Sequence, residues 1–391
     1  MKSKVIMPSY IQTFKCIASE CEETCCAGWY IAIDEVTYKK YKKVKAPEMK
    51  RRLEKELVVK RGAVQGSCAA KIKLKNNRCA FLAQNNLCDI YTELGENYLS
   101  ETCKMYPRNT NQLGERVELS LALSCPEAAR QILLREEPIT FKEEMIDQLP
   151  IVGADLKMNA KQPKQFEDLL VPIRQVILEI LQNKALNFKE KWQCLEGMMK
   201  ELSDCQRKCD IKKLQILLKA MQNKAYLKYQ EVPLSLERKR LLSGVGAEQL
   251  LEALGKLCET KKWPSARYAV CYDTLLRGVG KPFNLKIYQE AEKQYEDEVI
   301  KNFSYILENY FVNYVYERLV PLNQKTVLES FNEMTLYLAL LKLHFIGYLA
   351  LHKQIQKDEI VTCIQSFTRV FDHNELYIQQ IKKQINHLIK A

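Results

Sequence analysis

The chain has 391 residues, 47% of them hydrophobic and 28% charged, with only 13 glycines and 12 prolines. That balance is ordinary for a globular protein, and so few turn residues disfavour a many-stranded β architecture. The net charge of +12 is carried largely by residues 39–75, where fourteen Lys or Arg face only Glu48, Glu54 and Glu56; such a stretch is either a solvated helix face or a patch for nucleic acid, an acidic protein or an anionic ligand.

The first fifteen residues, with Pro8, Gln12 and Lys15, lack the apolar core of a secretory signal. Trp29 to Ile33 alternates and predicts a strand, after which Asp34 caps a basic helix over 34–59. Alternation after Gly66 predicts a strand that turns at Asn76-Asn77 into a partner at Cys79–Leu82, followed by a short helix over 88–98. From Pro126 the pattern is helical, first over 127–136 and then, beyond a Pro- and Gly-marked segment, over 166–184, 188–204, 210–230, 234–243 and 247–260. A break at Gly278–Pro282 precedes helices over 286–319, 326–353 and 374–390. The apolar run Met334–Leu351 carries Lys342 and His344 and reads as a buried helix, not a membrane span. Phe303, Leu307, Tyr310 and Tyr314 share one helical face and read as core packing.

The expected fold is therefore mainly α: a small irregular α+β cysteine-rich metal-binding N-terminal domain, then a helical C-terminal region. The expected division is a cysteine region at 1–135, a linker at 136–165 and a helical domain at 166–391, with a sub-boundary near 278–285.

Nine of the fifteen cysteines fall in the first third, and Cys25 and Cys26 are adjacent. Neighbouring cysteines seldom bridge each other, because a disulfide wants Cα atoms about 5.5–6 Å apart and adjacent ones stand only about 3.8 Å apart. In the reducing cytoplasm expected for a chain without a signal, thiols this dense point to metal. The candidate ligands are Cys16, Cys21, Cys25, Cys26, Cys79, Cys88, Cys103 and Cys125, with Cys68 left aside. No paired C-x2-C knuckle and no ferredoxin spacing is present, and all four histidines lie in the last fifth. Spacing alone leaves structural zinc, a functional cluster and unligated thiols all open. Cys194, Cys205, Cys209, Cys258, Cys271 and Cys363 read as buried or incidental thiols. Arg108 follows Cys103 closely and could raise a cluster's potential or hold an anion, while Tyr91, Glu96 and Tyr106 are the candidate proton-transfer groups beside it.

Taken together, these residues resemble a known family. Thr24-Cys-Cys-Ala-Gly-Trp29, Cys79-x-Phe-Leu82, Cys88-x-Ile-Tyr91, Cys103-x-x-Tyr-Pro-Arg108 and Leu123-Ser-Cys-Pro-Glu-Ala-Ala129 look like the cysteine-cluster region of flagellin lysine-N-methylases. Leu307-Glu-Asn-Tyr310-x-x-Asn313-Tyr314 extends the resemblance into the helical half. It implies a bacterial enzyme that methylates lysine side chains of flagellin, its protein partner, with S-adenosylmethionine as donor and a 4Fe–4S iron–sulfur cluster, or zinc as the alternative, on the N-terminal cysteines. Within that set, Cys21, Cys25 and Cys26 plus one or more of Cys79, Cys88 and Cys103 are the favoured ligands. Two features depart from the enzymes such a donor suggests. Gly244-Val-Gly246 has no preceding strand to make a nucleotide turn, and the C-x3-C-x2-C triplet of radical enzymes is absent. The competing readings are a non-enzymatic metal-binding or redox-sensing protein, and a structural metal domain whose helical half holds a partner. Nucleic-acid binding is weaker, because Tyr41 is the sole aromatic in 39–75.

Overall fold

A computed structural model describes residues 2–29, 31–59, 68–147, 149–260 and 262–389. The fold is mainly α. Its strands are β1 (Lys2–Pro8), β2 (Ala32–Ile33), β3 (Leu57–Val59), β4 (Ala70–Ile72), β5 (Leu74–Lys75), β6 (Arg78–Cys79), β7 (Arg108–Leu113), β8 (Arg116–Leu121), β9 (Phe141–Asp147) and β10 (Asp155–Leu156). They form a five-stranded sheet in the order β10-β7-β8-β1-β9, a three-stranded sheet β2-β4-β3 and the hairpin β5-β6. β1 runs parallel to β8 and antiparallel to β9, from Lys2 beside Asp147 to Pro8 beside Phe141. Both outer strands of the large sheet thus come from residues expected to form a linker. Segment 141–147 is drawn in because β1 offers it a full row of backbone groups and because Phe141 packs on the Tyr316 ring at 4.7 Å.

The expected helix over 34–59 is two helices, α1 (Glu35–Tyr41) and α2 (Pro47–Glu56), and the chain then enters β3. Pro47 is the cause: proline pushes the residue before it out of the helical region, and Ala46 is extended while Pro47 starts the second helix. Asp34 does cap α1, accepting from the Thr37 N–H at 2.8 Å. The Asn76-Asn77 turn joins β5 to β6 with φ of 50° and 64°. The start of the strand expected after Gly66, and part of the basic stretch, lie outside the described residues.

The remaining helices are α3 (Asp89–Leu94), α4 (Glu101–Met105), α5 (Pro126–Leu133), α6 (Leu170–Gln182), α7 (Phe188–Lys208), α8 (Ile211–Gln222), α9 (Leu236–Leu241), α10 (Gly244–Thr260), α11 (Ala266–Val279), α12 (Leu285–Tyr295), α13 (Lys301–Glu317), α14 (Val327–His352), α15 (Lys357–Phe371), α16 (Glu375–Gln384) and α17 (Asn386–Ile389). The single helix expected over 286–319 is α12 and α13, joined by a π turn at Glu296–Ile300 and kinked at Phe303. Helices α11 and α15 were not anticipated from the sequence.

α14 is the axis of the helical half. It packs on α7, α11, α12 and α15, and although long and apolar enough to cross a membrane by composition, 78% of its most apolar window is buried inside the protein. α11 meets it through Gly278 and Gly347, where a Cβ on Gly278 would stand 1.9 Å from the Gly347 carbonyl oxygen. The main core runs from Tyr10 and Phe14 to Leu388. A smaller core of Ile31, Ile33, Tyr41, Phe81 and Ile90 lies beneath the cysteines.

Candidate functional site

The sequence 68–105 folds into short hairpins and single-turn helices around that smaller core, and this brings distant thiols together. Cys79 is buried in it, and Cys26, Cys88 and Cys103 pack against it. The Cys79 N–H donates to the Cys26 carbonyl at 2.7 Å, and the Gly28 N–H to the Asn77 carbonyl at 3.0 Å. Cys88 precedes α3, and Ser100 caps α4 so that Cys103 sits in its first turns. Asp34 binds both the α1 cap and the Glu101 N–H, the latter at 3.0 Å, which fixes α4 against α1.

Burial pushes the Cys79 and Cys103 thiols up to about 12, and each feels Cys88 and Cys25 as further repulsive neighbours. A hydrogen bond with Cys26, then burial, holds Cys25 far above the usual thiol range. Cys16, Cys21 and Cys125 form a second set: burial raises Cys125 to about 12, with Cys21 and Cys16 as its neighbouring sulfurs. Cys68 donates to the Ala70 carbonyl at 2.9 Å and belongs to neither set. Burial, and then their mutual repulsion, makes these thiols resist ionisation, and a cation among them would reverse this by stabilising thiolate. In number and softness Cys25, Cys26, Cys79, Cys88 and Cys103 suit an iron–sulfur cluster or zinc. No group of three His, Cys, Asp or Glu side chains stands in metal-holding geometry among the described residues.

The cysteine loop docks on the helical half through specific polar contacts. Gln365 of α15 donates to Glu23 and to the Ser124 carbonyl, both at 2.8 Å, and Arg369 donates to the Thr24 carbonyl at 2.7 Å and also to that of Ala27. Gly28 has φ of 84°, and a Cβ there would stand 3.2 Å from the Pro264 carbonyl oxygen, so glycine suits both the turn and the close approach.

At this junction opens a cavity of about 860 Å³, within the ~300–1,000 Å³ range of small-molecule sites. Its upper wall is aromatic. Trp29 stacks on His373 with centroids 5.4 Å apart and touches Tyr106 at 5.6 Å. The Tyr106 hydroxyl lies 3.0 Å from Ser124 Oγ and accepts from Arg369 at 3.3 Å. Desolvation against the cavity wall, then Arg369 and Arg318, lowers His373 although the residue keeps an exposed surface, which favours the neutral imidazole. The opposite wall is acidic and built from the ends of α13, α14, α15 and α16. Arg318 Nη2 pairs with Asp372 at 2.6 Å. Glu333 accepts from the Tyr314 hydroxyl at 3.0 Å and from Gln324 at 2.9 Å, and it also pairs with Lys382. Glu317 has an Asn313 side-chain amide at 3.2 Å, and among the described residues no salt bridge reaches it. Burial, then Asp372, raises its carboxyl to about 8 against the opposing pull of Arg318.

Residues 174–390 match the FliB lysine N-methylase C-terminal domain. The chain belongs to the FliB lysine N-methylase family. Lysine-N-methylases of Salmonella typhimurium strain LT2 and Salmonella choleraesuis strain SC-B67 are each 31% identical to it over 146 residues, which is 37% of this chain and 36% of theirs. The match therefore spans about a third of those relatives. Flagellar biosynthetic protein FliU of Salmonella muenchen is 32% identical over 142 residues, covering 36% of this chain and 83% of that protein. No solved structure matches.

Within this family member, Tyr106 and Arg108 line the cavity, and the Arg108 guanidinium lies 5.3 Å over the Phe14 ring. Tyr91 and Glu96 do not line it. Tyr91 is 53% exposed on α3, and Glu96 is exposed in the turn that follows. Cys21 neighbours Cys25 of the set it was expected to join as well as Cys16 and Cys125. The Gly244-Val-Gly246 pair is a packing site, since a Cβ on Gly246 would stand 2.2 Å from the Leu241 carbonyl oxygen. Sequence reasoning missed Glu317, Arg318, Asp372 and His373. Two charged residues closing the apolar run Phe311–Tyr316 were the available signal for the first pair. Asn309 and Asn313 tie α13 to the carbonyls of Leu133, Arg135 and Leu121 and so hold Glu317 in place.

Proposed function

We propose that this protein is a lysine N-methyltransferase that modifies flagellin in the cytoplasm, with S-adenosylmethionine as donor and an iron–sulfur cluster on Cys25, Cys26, Cys79, Cys88 and Cys103. Family membership and two relatives named lysine-N-methylase support the activity, and the name of FliU supports a flagellar substrate. The observation that carries the reading is the placement of the cavity. Its aromatic wall is built on Trp29 and Tyr106, each three residues beyond a thiol of the five-membered set, and its other wall is acidic. A lysine side chain, apolar along its stem and cationic at its tip, suits such an arrangement.

A bound cluster would supply one-electron chemistry and coordination for the donor. The chain's own residues do the rest. Trp29, Tyr106 and neutral His373 give an aromatic face that favours a cationic sulfonium or ammonium. Arg369 fixes that face by binding the Tyr106 hydroxyl and the carbonyls around Cys25 and Cys26. The fifteen unbridged thiols fit a reducing compartment.

The test is anaerobic purification with iron, sulfide and zinc analysis, followed by incubation with flagellin and methyl-labelled S-adenosylmethionine. Label recovered as Nε-methyllysine supports the proposal. A colourless, zinc-loaded protein that leaves flagellin unlabelled returns the chain to the structural-metal reading.

A further inference from the structure

We infer that Glu317 is the receptor for the substrate amine, taking a proton from a lysine ammonium that enters the cavity between the aromatic wall and the acidic wall. The inference rests on the methyltransferase reading and adds a residue and a proton path to it.

Among the described residues four carboxylates line the cavity, and Glu317 is set apart from the other three; Glu375 is solvent-exposed and accepts from the Gln379 side-chain amide at 3.1 Å. Asp372 is committed to Arg318, and Glu333 to Tyr314, Gln324 and Lys382. The Glu317 carboxyl has, among the described residues, only the Asn313 amide, itself held by Tyr10 and the Leu121 carbonyl. It ends α13 with part of its surface uncovered, and it lines the cavity. A carboxyl so placed wants a cation, and the cavity admits one from outside. An incoming ammonium is the partner that the fold does not supply.

The charged and titratable groups facing Glu317 come from several elements. Asp372, after α15, and Arg318, after α13, act on it most directly. Tyr10 and Tyr310 feel its charge from the N-terminal segment and from α13 itself. Burial and Asp372 together outweigh Arg318, so the carboxyl ionises near 8. A base of that strength takes a proton from an amine far more readily than an ordinary carboxylate, whose unperturbed value is about 4.3. In the step, the entering ammonium first displaces the Glu317 proton to solvent; a lysine N–H bond then breaks, the electron pair stays on nitrogen, and that proton moves to a Glu317 carboxylate oxygen. The neutral amine then holds the lone pair that methylation requires.

Calorimetry on the full chain with Nα-acetyl-lysine methylamide, run in buffers of different ionisation heat, tests this without turnover. At about pH 7 Glu317 is mostly protonated, so binding the ammonium is expected to release about one proton. The norleucine analogue, which lacks the amine, is expected not to bind. Glu317→Gln should weaken binding by roughly tenfold to a hundredfold, the worth of one charge-assisted hydrogen bond, and abolish the proton release. Glu317→Asp should keep the release while binding more weakly. Unchanged affinity and release in Glu317→Gln overturns the inference, as does wild-type protein that fails to bind the lysine probe or binds norleucine equally. Wild-type protein that binds with proton release yet never methylates flagellin overturns the methyltransferase reading alone. Methylation that is unaffected by Glu317→Gln at every pH overturns the receptor role alone.

Discussion

Arg318 and Asp372 meet at 2.6 Å where the ends of α13 and α15 converge, and the guanidinium also lies over the rings of Tyr314 and Tyr337 at 5.0 and 5.2 Å. The pair fixes the acidic wall and, among the described residues, leaves Glu317 without a salt bridge beside it. Asp372→Asn removes one charge of a pair whose side chains are 26% and 22% exposed. The expected loss is about 2 kcal/mol in urea unfolding, below the ~3–5 kcal/mol of a fully buried pair. The substitution also removes a negative neighbour of Glu317 and frees Arg318 to approach it. The Glu317 titration, followed by carboxyl-labelled infrared difference spectra, should therefore move below about 8.

Two glycines should respond in opposite directions to the same substitution. Gly278→Ala places a methyl 1.9 Å from the Gly347 carbonyl, and the α11–α14 crossing must open to admit it. A destabilisation of about 3 kcal/mol, the upper range for overpacking, is expected in chemical denaturation. Gly255 lies inside α10, and a Cβ there meets only the Tyr272 hydroxyl at 3.8 Å. Gly255→Ala should raise stability by about 0.5–1 kcal/mol through helix propensity and reduced unfolded-state entropy.

His344 gives a pH prediction. It is 3% exposed, its Nδ1 lies 2.7 Å from the Leu340 carbonyl and its Nε2 lies 3.1 Å from the Tyr268 hydroxyl. A carbonyl can only accept, so Nδ1 carries the proton and Nε2 accepts from tyrosine. Burial lowers the imidazole to about 4. The unfolded chain thus binds a proton before the folded one does. The contribution of neutral His344 is complete above about pH 6.5 and is lost as pH falls toward 4, by about 3 kcal/mol in total. Urea titrations from pH 7 to pH 4 should show this slope, and His344→Gln should flatten it.

The thiol sets should separate on metal analysis. Cys79→Ser and Cys103→Ser remove members of the five-thiol set and are expected to lower bound iron or zinc after anaerobic reconstitution. Cys68→Ser, whose thiol is engaged with the Ala70 carbonyl, should leave metal content unchanged. Equal loss from all three would place Cys68 among the ligands.

Sequence pattern conveyed helices that carry their own start signals. The Asn187 and Glu190 capping box opens α7, and that of Thr326 and Glu329 opens α14, whose run of buried apolar residues needs no partner to be recognised. α15 has a comparable start in Gln356 and Glu359, together with an apolar face of Ile360, Ile364, Phe367 and Phe371, and it was legible but overlooked. β9 was not legible. Its residues FKEEMID alternate weakly because it is an outer strand, and its partner β1 lies more than a hundred residues away. The cysteines announced a site by type, and Trp29 and Tyr106 marked one wall. Glu317 looked like an ordinary helix-end charge. Its raised carboxyl depends on burial and then on Asp372, which chain order gives no reason to place beside it.

The contacts that seat the cysteine loop join residues far apart in time as well as in sequence. Arg369 grips the carbonyl of Ala27 across 342 positions. At ~5–20 residues per second, a ribosome needs on the order of 20–70 s to supply the arginine after the loop has been made. Throughout that interval the vicinal thiols wait without the helix that seats them, open to oxidants and to any metal the cell offers. The cavity closes only once α15 and α16 have been made, so a chain cut before them carries the sulfurs but not the site.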